Sequence, residues 1–142
     1  MAGETRSAAL NTSKLFYDNP GAGAFWATFN LTFSTTDNEL NDVVEAGYIG
    51  PNVRVLAVGW YPTDMDTNVS PLVAHKFTVN SVDQVTGIFG AGTGASSITA
   101  VTPTAAATTP GTAPQLVTVT TTAAAATAAA GTAVLALLCQ KI

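Results

Sequence analysis

Charged side chains are scarce in this chain. They make up 10% of its 142 residues, against roughly 25% in an average soluble domain. Between Asp83 and Lys141 the sequence contains no Asp, Glu, Lys, Arg or His. A free monomer usually stays soluble through mixed surface charge. This long uncharged stretch therefore indicates either a surface covered by neighbouring subunits or strand faces that threonine hydroxyls solvate.

Basic residues are too few and too dispersed for a protein that binds nucleic acid. The chain has five Lys and Arg residues in total, and its formal net charge is −4. Binding to a phosphate backbone needs clustered Lys and Arg, because the affinity comes from neutralising several phosphates together. We therefore expect no nucleic-acid partner.

The residues that most enzymes rely on are equally sparse. Cys139 is the single cysteine, which excludes an internal disulfide, and its apolar surroundings in the sequence predict a buried free thiol. His75 is the single histidine, and no Ser-His-Asp arrangement can be built around it from spacing. The segment "GIFGAGTGAS" lacks the Lys-Ser/Thr pair of a phosphate-binding loop. We predict that the protein is not an enzyme and has no cofactor, apart from a calcium ion considered below.

What the chain does contain is a repeated period-2 pattern. In "AFWATFNLTFS" the apolar residues alternate with polar ones, which is typical of a half-buried strand. Further strands are predicted around 43–46, 52–62 and 72–80, and at 98–101, 115–122 and 131–142, and the segment from 83 is either a weak strand or a short helical turn. We therefore predict an all-β fold, an antiparallel β-sandwich that is jelly-roll-like, with seven to eight strands. Residues 16–142 would form this single domain, and residues 1–15 an extended N-terminal arm.

The alanine-rich run 123–130 allows three interpretations. It contains seven alanines and has high helix propensity, so a helix over 123–139 is one of them. A membrane span is the second, but it needs about 20 strongly apolar residues, and Thr127, Gly131 and Thr132 interrupt this stretch. The third, which we favour, is a hairpin in which a short connection joins the strand before the run to the strand after it. We expect no membrane partner.

One loop carries oxygen ligands at alternate positions. Asp64, Asp66 and Asn68 have the spacing that starts a calcium loop. The loop is not an EF-hand, because the sixth position is Val69 and the twelfth is His75. A looser calcium site that takes further ligands from another loop or subunit is one hypothesis. The alternative is a solvated acidic loop whose side chains cap turns.

The aromatic residues fall into two groups. Five of them follow the apolar pattern and are predicted to lie in the core: Phe25, Phe29, Phe33, Trp60 and Phe77. Trp26 and Tyr61 lie off this pattern. Because Trp and Tyr are enriched at interfaces, we predict that these two contact another subunit.

The order of four segments resembles a known class of proteins. The segments are "ELNDVVEAGYIGPNVRVLAVGWYPTDMDTN", "PLVAHKFTVN", "QVTGIFGAGTGA" and "VTVTTTAAAATAAAGTAVLALL". From Asp42 to Leu138 this order is similar to small β-sandwich virion proteins of tailed bacteriophages, the capsid decoration or cement proteins. The resemblance implies a non-enzymatic structural protein that binds the major capsid protein, with a homo-oligomer expected and a trimer favoured. It also implies a place on the capsid surface of the virion after synthesis in the cytoplasm of the bacterial host.

Two other functions remain open from the sequence. One is a tail, neck or head-fibre component, which the same sandwich would serve. The other is a carbohydrate-binding adhesion module, in which Trp26, Trp60 and Tyr61 would stack on sugars while Asp64 and Asp66 held calcium.

Overall fold

The regular structure of the described residues consists of β-strands. The structure is a computed structural model, and it describes residues 3, 5–6, 16–17, 23–85, 96–101 and 110–142, among which there is no helix. In chain order the strands are β1 (Thr5–Arg6), β2 (Phe16–Tyr17), β3 (Ala24–Phe33), β4 (Val43–Ile49), β5 (Val53–Pro62), β6 (Ala74–Val79), β7 (Val82–Val85), β8 (Ser97–Ala100), β9 (Gln115–Ala123) and β10 (Gly131–Lys141). The seven strands predicted from the sequence are present, and the segment from 83, left open between a strand and a helical turn, contributes to strand β7.

Two sheets divide the strands between them. The first, here called the β3 sheet, has the order β3-β10-β5-β8, and all its pairs are antiparallel. The second, the β4 sheet, has the antiparallel order β4-β9-β6-β7. From β3 to β10, each strand lies in the opposite sheet from the strand before it. The one exception is β7, which lies beside β6 in the same sheet. This is the strand order of a jelly roll, and the predicted fold class is confirmed.

The core lies between the inner faces of the two sheets. The β3 sheet contributes alternate residues such as Phe29, Leu31 and Leu135, and the β4 sheet contributes Val117 and Phe77. Alternation of this kind follows from the pleat, because successive side chains of a strand point to opposite faces. Of the five aromatic residues predicted for the core, four are fully buried and Phe25 packs against them partly buried.

The β6–β7 hairpin is closed by a two-residue turn. Val79 pairs with Val82 across it, and the residues between them, Asn80 and Ser81, have φ values of 50° and 66°. Positive φ at both central positions is the geometry of a type I′ turn, whose twist matches that of the flanking strands.

The predicted hairpin around the alanine-rich run is wrong. β9 pairs with β4 and β6, whereas β10 pairs with β3 and β5, so the two strands lie in different sheets. Residues 124–130 therefore form a crossover from one sheet to the other, and seven extended residues are ample for a separation of about 10 Å. The helix alternative fails for this stretch as well, since no described residue of 123–139 is helical.

Part of the predicted N-terminal arm pairs with the domain. Thr5 and Arg6 run parallel to Val43 and Val44 of β4, and β2 runs parallel to the other end of the same strand. Most of the arm lies outside the described residues, as does the glycine-rich segment 87–94. Within the part of the chain that the structure describes, no helix has the length and apolarity needed to cross a bilayer.

Candidate interaction surface

The three predicted calcium ligands form a ladder of local turns. Asp64 Oδ1 accepts a hydrogen bond from the backbone N–H of Asp66 at 3.1 Å, and Asp66 Oδ1 accepts one from that of Asn68 at 3.4 Å. Asn68 Oδ1 in turn accepts the N–H of Ser70 at 2.9 Å. Each side chain thus caps the backbone two residues ahead, which is the Asx-turn geometry that Asp and Asn favour.

Asp66 also holds the crossover in place. Its Oδ2 atom accepts N–H groups of Leu72 at 2.8 Å and Val73 at 3.2 Å in its own loop. The same oxygen accepts the N–H of Ala126 at 2.9 Å, and Oδ1 accepts that of Thr127 at 2.8 Å. Together with the N–H of Asn68, one buried carboxylate therefore accepts five backbone donors from two segments of the chain.

The charge of Asp66 is maintained by these donors. Burial by itself would raise the pKa of the carboxyl, but the hydrogen bonds from Thr127, Leu72, Ala126 and Val73 outweigh burial and hold the pKa well below its usual range. The side chain is 1% exposed, so it is a buried anion whose partners are backbone dipoles.

Calcium binding at this loop stays a prediction. No group of three or more His, Cys, Asp and Glu side chains suited to a metal occurs among the described residues. Because both oxygens of Asp66 already accept N–H groups, a calcium ion here would depend on Asp64 and Asn68 together with ligands from elsewhere.

The two residues weighed as catalytic groups both lie in the core. His75 is fully buried, its Nε2 is 2.8 Å from Asn38 Oδ1, and its ring centroid is 5.3 Å from that of Trp60. Cys139 is fully buried on the inner face of β10, and burial raises the pKa of its thiol to about 12. Neither side chain can reach a substrate without opening the sandwich.

The two predicted interface residues lie on one surface, the outer face of the β3 sheet. Trp26 on β3 is 48% exposed and Tyr61 on β5 is 38% exposed. Trp60, which the carbohydrate hypothesis also placed on the surface, is fully buried in the core, so that assignment is wrong. The reason is the pleat, since neighbouring residues of a strand cannot share a face.

Ile98 on β8 is a third apolar residue of this face, and sequence analysis missed it. It is 63% exposed and pairs with Gly59 of β5. The segment "SITA" is too short for its alternation to distinguish an inner from an outer face. Gly59 itself is covered by the ring of Tyr61, because an added Cβ would come within 2.9 Å of Tyr61 Cε2. Tyr61 therefore lies flat across the sheet.

The outer faces of the two sheets differ in charge. Apart from Arg54 and Lys141, which lie near one end, the four strands of the β3 sheet contain no charged residue. The outer face of the β4 sheet carries Glu45 and an ion pair in which Lys76 Nζ is 3.2 Å from Asp83 Oδ1. The β4 sheet thus has an ordinary solvated surface, whereas the β3 sheet presents small, apolar and threonine side chains.

The described residues also line a small cavity at one end of the sandwich. It has a volume of about 40 Å³ and lies beside Arg54, Asn80, Gln84 and Gln115. This is room for water rather than for a sugar or cofactor. Among the described residues, the extended face of the β3 sheet, with its exposed Trp26, Tyr61 and Ile98, is the candidate site of function.

Comparison with known proteins gives matches in fold. No protein-family model matches the chain, and no curated protein sequence matches it. Among solved structures, the chain is similar to a chain in the capsid of Ralstonia phage GP4, with a TM-score of 0.80 and 18% identity over 93% of this chain and 94% of that one. It is also similar to a chain in the capsid asymmetric unit of cyanophage Pam1, with a TM-score of 0.65 and 22% identity over 94% of this chain and 99% of that one. At these identities the likeness establishes the shared fold.

Proposed function

We propose that this chain is a non-enzymatic structural protein of a bacteriophage virion. The observation that carries the proposal is the match in fold, along almost the whole of both chains, with components of two phage capsids. A jelly roll supports many functions, so the fold needs a second argument. That argument is the core position of His75 and Cys139, together with an uncharged outer face that suits contact with protein better than catalysis.

Within the virion, the proposed role is that of a capsid decoration or cement protein. Such a protein binds the assembled major capsid protein on the outer surface of the head after both have been made in the host cytoplasm. Binding to the assembled shell but not to its separated subunits would stabilise the shell by mass action. The expected homo-oligomer, with a trimer favoured, would match a three-fold position of an icosahedral shell and repeat each contact by symmetry. The N-terminal arm would add a contact with a neighbouring subunit.

The test is binding to shells that lack this protein. Shells of the major capsid protein from the same phage would be prepared without the chain, mixed with purified full-length protein and sedimented. We expect saturable co-sedimentation and a rise of several degrees in the temperature at which the shells disrupt, because the bound state is stabilised.

Shells from an unrelated phage serve as the control for non-specific adhesion. Failure of the protein to sediment with its own shells at micromolar concentration, with no change in their disruption temperature, would exclude a decoration role.

A further inference from the structure

We propose that the outer face of the β3 sheet is the surface that docks on the capsid shell, and that it binds an uncharged, apolar region of the major capsid protein. This inference rests on the proposed function and adds an orientation to it. The jelly roll would lie with the β3 sheet against the shell and the β4 sheet towards solvent.

The composition of the face supports this orientation. Its exposed side chains include Trp26, Tyr61 and Ile98, and the positions between them are filled by Thr28, Asn30, Thr32, Thr132, Val134, Ala136 and Leu138. Isolated apolar residues are common on protein surfaces, whereas a contiguous group of them on a sheet face whose charged residues are confined to one end is typical of an interaction site. Trp and Tyr are also the residues that most often anchor interfaces.

The charge distribution argues for an uncharged partner surface. The formal net charge of the protein is −4, yet the charged groups of its sheets lie on the β4 sheet or at one end of the β3 sheet. A charged partner surface buried against the centre of the β3 sheet would find no counter-ion there, and burying an unpaired charge is strongly unfavourable. An apolar or hydroxyl-bearing surface would bury no unpaired charge on contact.

The size of the face argues against a second copy of this chain as its occupant. The four strands are 10, 11, 10 and 4 residues long. At about 4.8 Å spacing and about 3.3 Å per residue they give a face of roughly 550 Å². Two such faces packed together would bury about 1,100 Å², which is at the lower limit of a biological interface and below the roughly 1,600 Å² of a standard stable complex. Three faces of one trimer on a shell would bury about 3,300 Å² in total, and their linkage would make the attachment stable.

A cysteine footprint tests the orientation, because the native Cys139 is buried and gives no background. Thr32 on the outer face of the β3 sheet and Thr122 on the outer face of the β4 sheet are both exposed strand residues, so Thr32→Cys and Thr122→Cys form a matched pair. Each full-length variant would be treated with a maleimide, free and bound to shells. We expect the shell to slow labelling of the Thr32→Cys variant at least about tenfold while the Thr122→Cys variant reacts as in the free protein.

Charge substitutions provide the second measurement. Ile98→Glu places an unpaired charge in the proposed contact, and Thr122→Glu places one on the opposite face. Both positions are exposed, so the fold should tolerate either change. We expect Ile98→Glu to weaken binding to shells by at least about tenfold and Thr122→Glu to leave it unchanged.

The outcomes separate this inference from the proposed function. If the unaltered protein binds shells but the Thr122→Cys variant is the protected one, or neither is, the docking face is wrong while the decoration role stands. If the protein binds no shells, the decoration role itself fails. If the Thr32→Cys variant is already protected in the free protein and Ile98→Glu lowers its light-scattering mass, the occupant is a second copy and the inference is overturned.

Discussion

At the scale of single residues, the Asp66 carboxylate joins two segments that lie 60 positions apart in the sequence. It accepts backbone N–H groups from its own loop and from the crossover between β9 and β10. An asparagine in its place would keep the shape but replace one accepting oxygen by a donor. That donor would face N–H groups, and buried donors without an acceptor cost about 1–3 kcal/mol each.

We therefore expect Asp66→Asn to lower the free energy of unfolding by about 2–4 kcal/mol, measured by urea titration at pH 7. Asp64→Asn is the matched control, because Asp64 is exposed and accepts a single N–H that an amide oxygen can also accept. The control should remain within about 0.5 kcal/mol of the unaltered protein. Equal stability of both variants would show that the Asp66 hydrogen bonds contribute nothing net.

The same substitution should change the response to acid. Because the pKa of Asp66 is lowered in the folded state, the unfolded chain takes up a proton near pH 4 that the folded chain does not. The stabilisation is thus present above the unfolded pKa and is lost as the pH falls towards the folded one. Between about pH 5 and pH 2, unfolding curves of the unaltered protein should lose more stability than those of Asp66→Asn.

The role of Asp66 could not be predicted from the sequence. Alternating Asp and Asn residues fit a calcium loop and a ladder of Asx turns equally well. What distinguishes the structural role is the pair of donors on Ala126 and Thr127, whose position depends on the whole fold.

At the scale of elements, the strands were predictable and their partners were not. Residues such as Phe29 and Leu31 alternate with exposed ones because one face of each strand meets the core. The same alternation occurs whether the next strand lies alongside or in the opposite sheet. For this reason the pattern identified β9 and β10 but led to the wrong prediction that they pair.

The crossover ends at Gly131, where the space for a side chain is taken. A Cβ added there would lie 2.4 Å from Thr63 Oγ1 and 2.7 Å from Met65 Cγ. Thr63 cannot rotate away freely, because its hydroxyl donates to the carbonyl of Thr132 and accepts its N–H. Met65 is fully buried. Glycine is therefore required by close packing between the crossover and the loop after β5.

We expect Gly131→Ala to lower the free energy of unfolding by about 1–3 kcal/mol, as overpacking of a filled site usually does. Adding Thr63→Ala to it should recover part of the loss, because one of the two clashing atoms is removed. The control is Ala130→Ser at the neighbouring exposed position, which should be nearly neutral. Urea titration of these four proteins and of Thr63→Ala alone measures all the terms, and a fully stable Gly131→Ala variant would refute the packing argument.

At the scale of the whole molecule, the sequence shows that charged residues are scarce, but it does not show which face of the sandwich carries them. The uncharged stretch from 84 to 140 supplies strands to both sheets, since β9 lies in one and β10 in the other. The outer face of the β4 sheet gains its charges from Glu45, Lys76 and Asp83, which come from other strands. Which face lacks charge is thus decided by the strand order, and that order depends on long-range pairing.

The packing of the two sheets against each other predicts how Cys139 reacts with thiol reagents. Its thiol lies on the central strand β10 between β3 and β5, and burial raises its pKa to about 12. At pH 8 an exposed cysteine, with a pKa near 8.5, is partly thiolate and reacts readily, whereas Cys139 should react only when the two sheets separate. Labelling by a disulfide reagent should therefore be slow and should speed up with urea in parallel with global unfolding.

The Thr122→Cys variant, exposed on the β4 sheet, is the control, and it should incorporate one equivalent of reagent at once and the second at the slow rate. Rapid labelling of Cys139 in the folded protein, with no loss of the folded signal, would mean that β10 opens locally and that the sandwich does not behave as one unit.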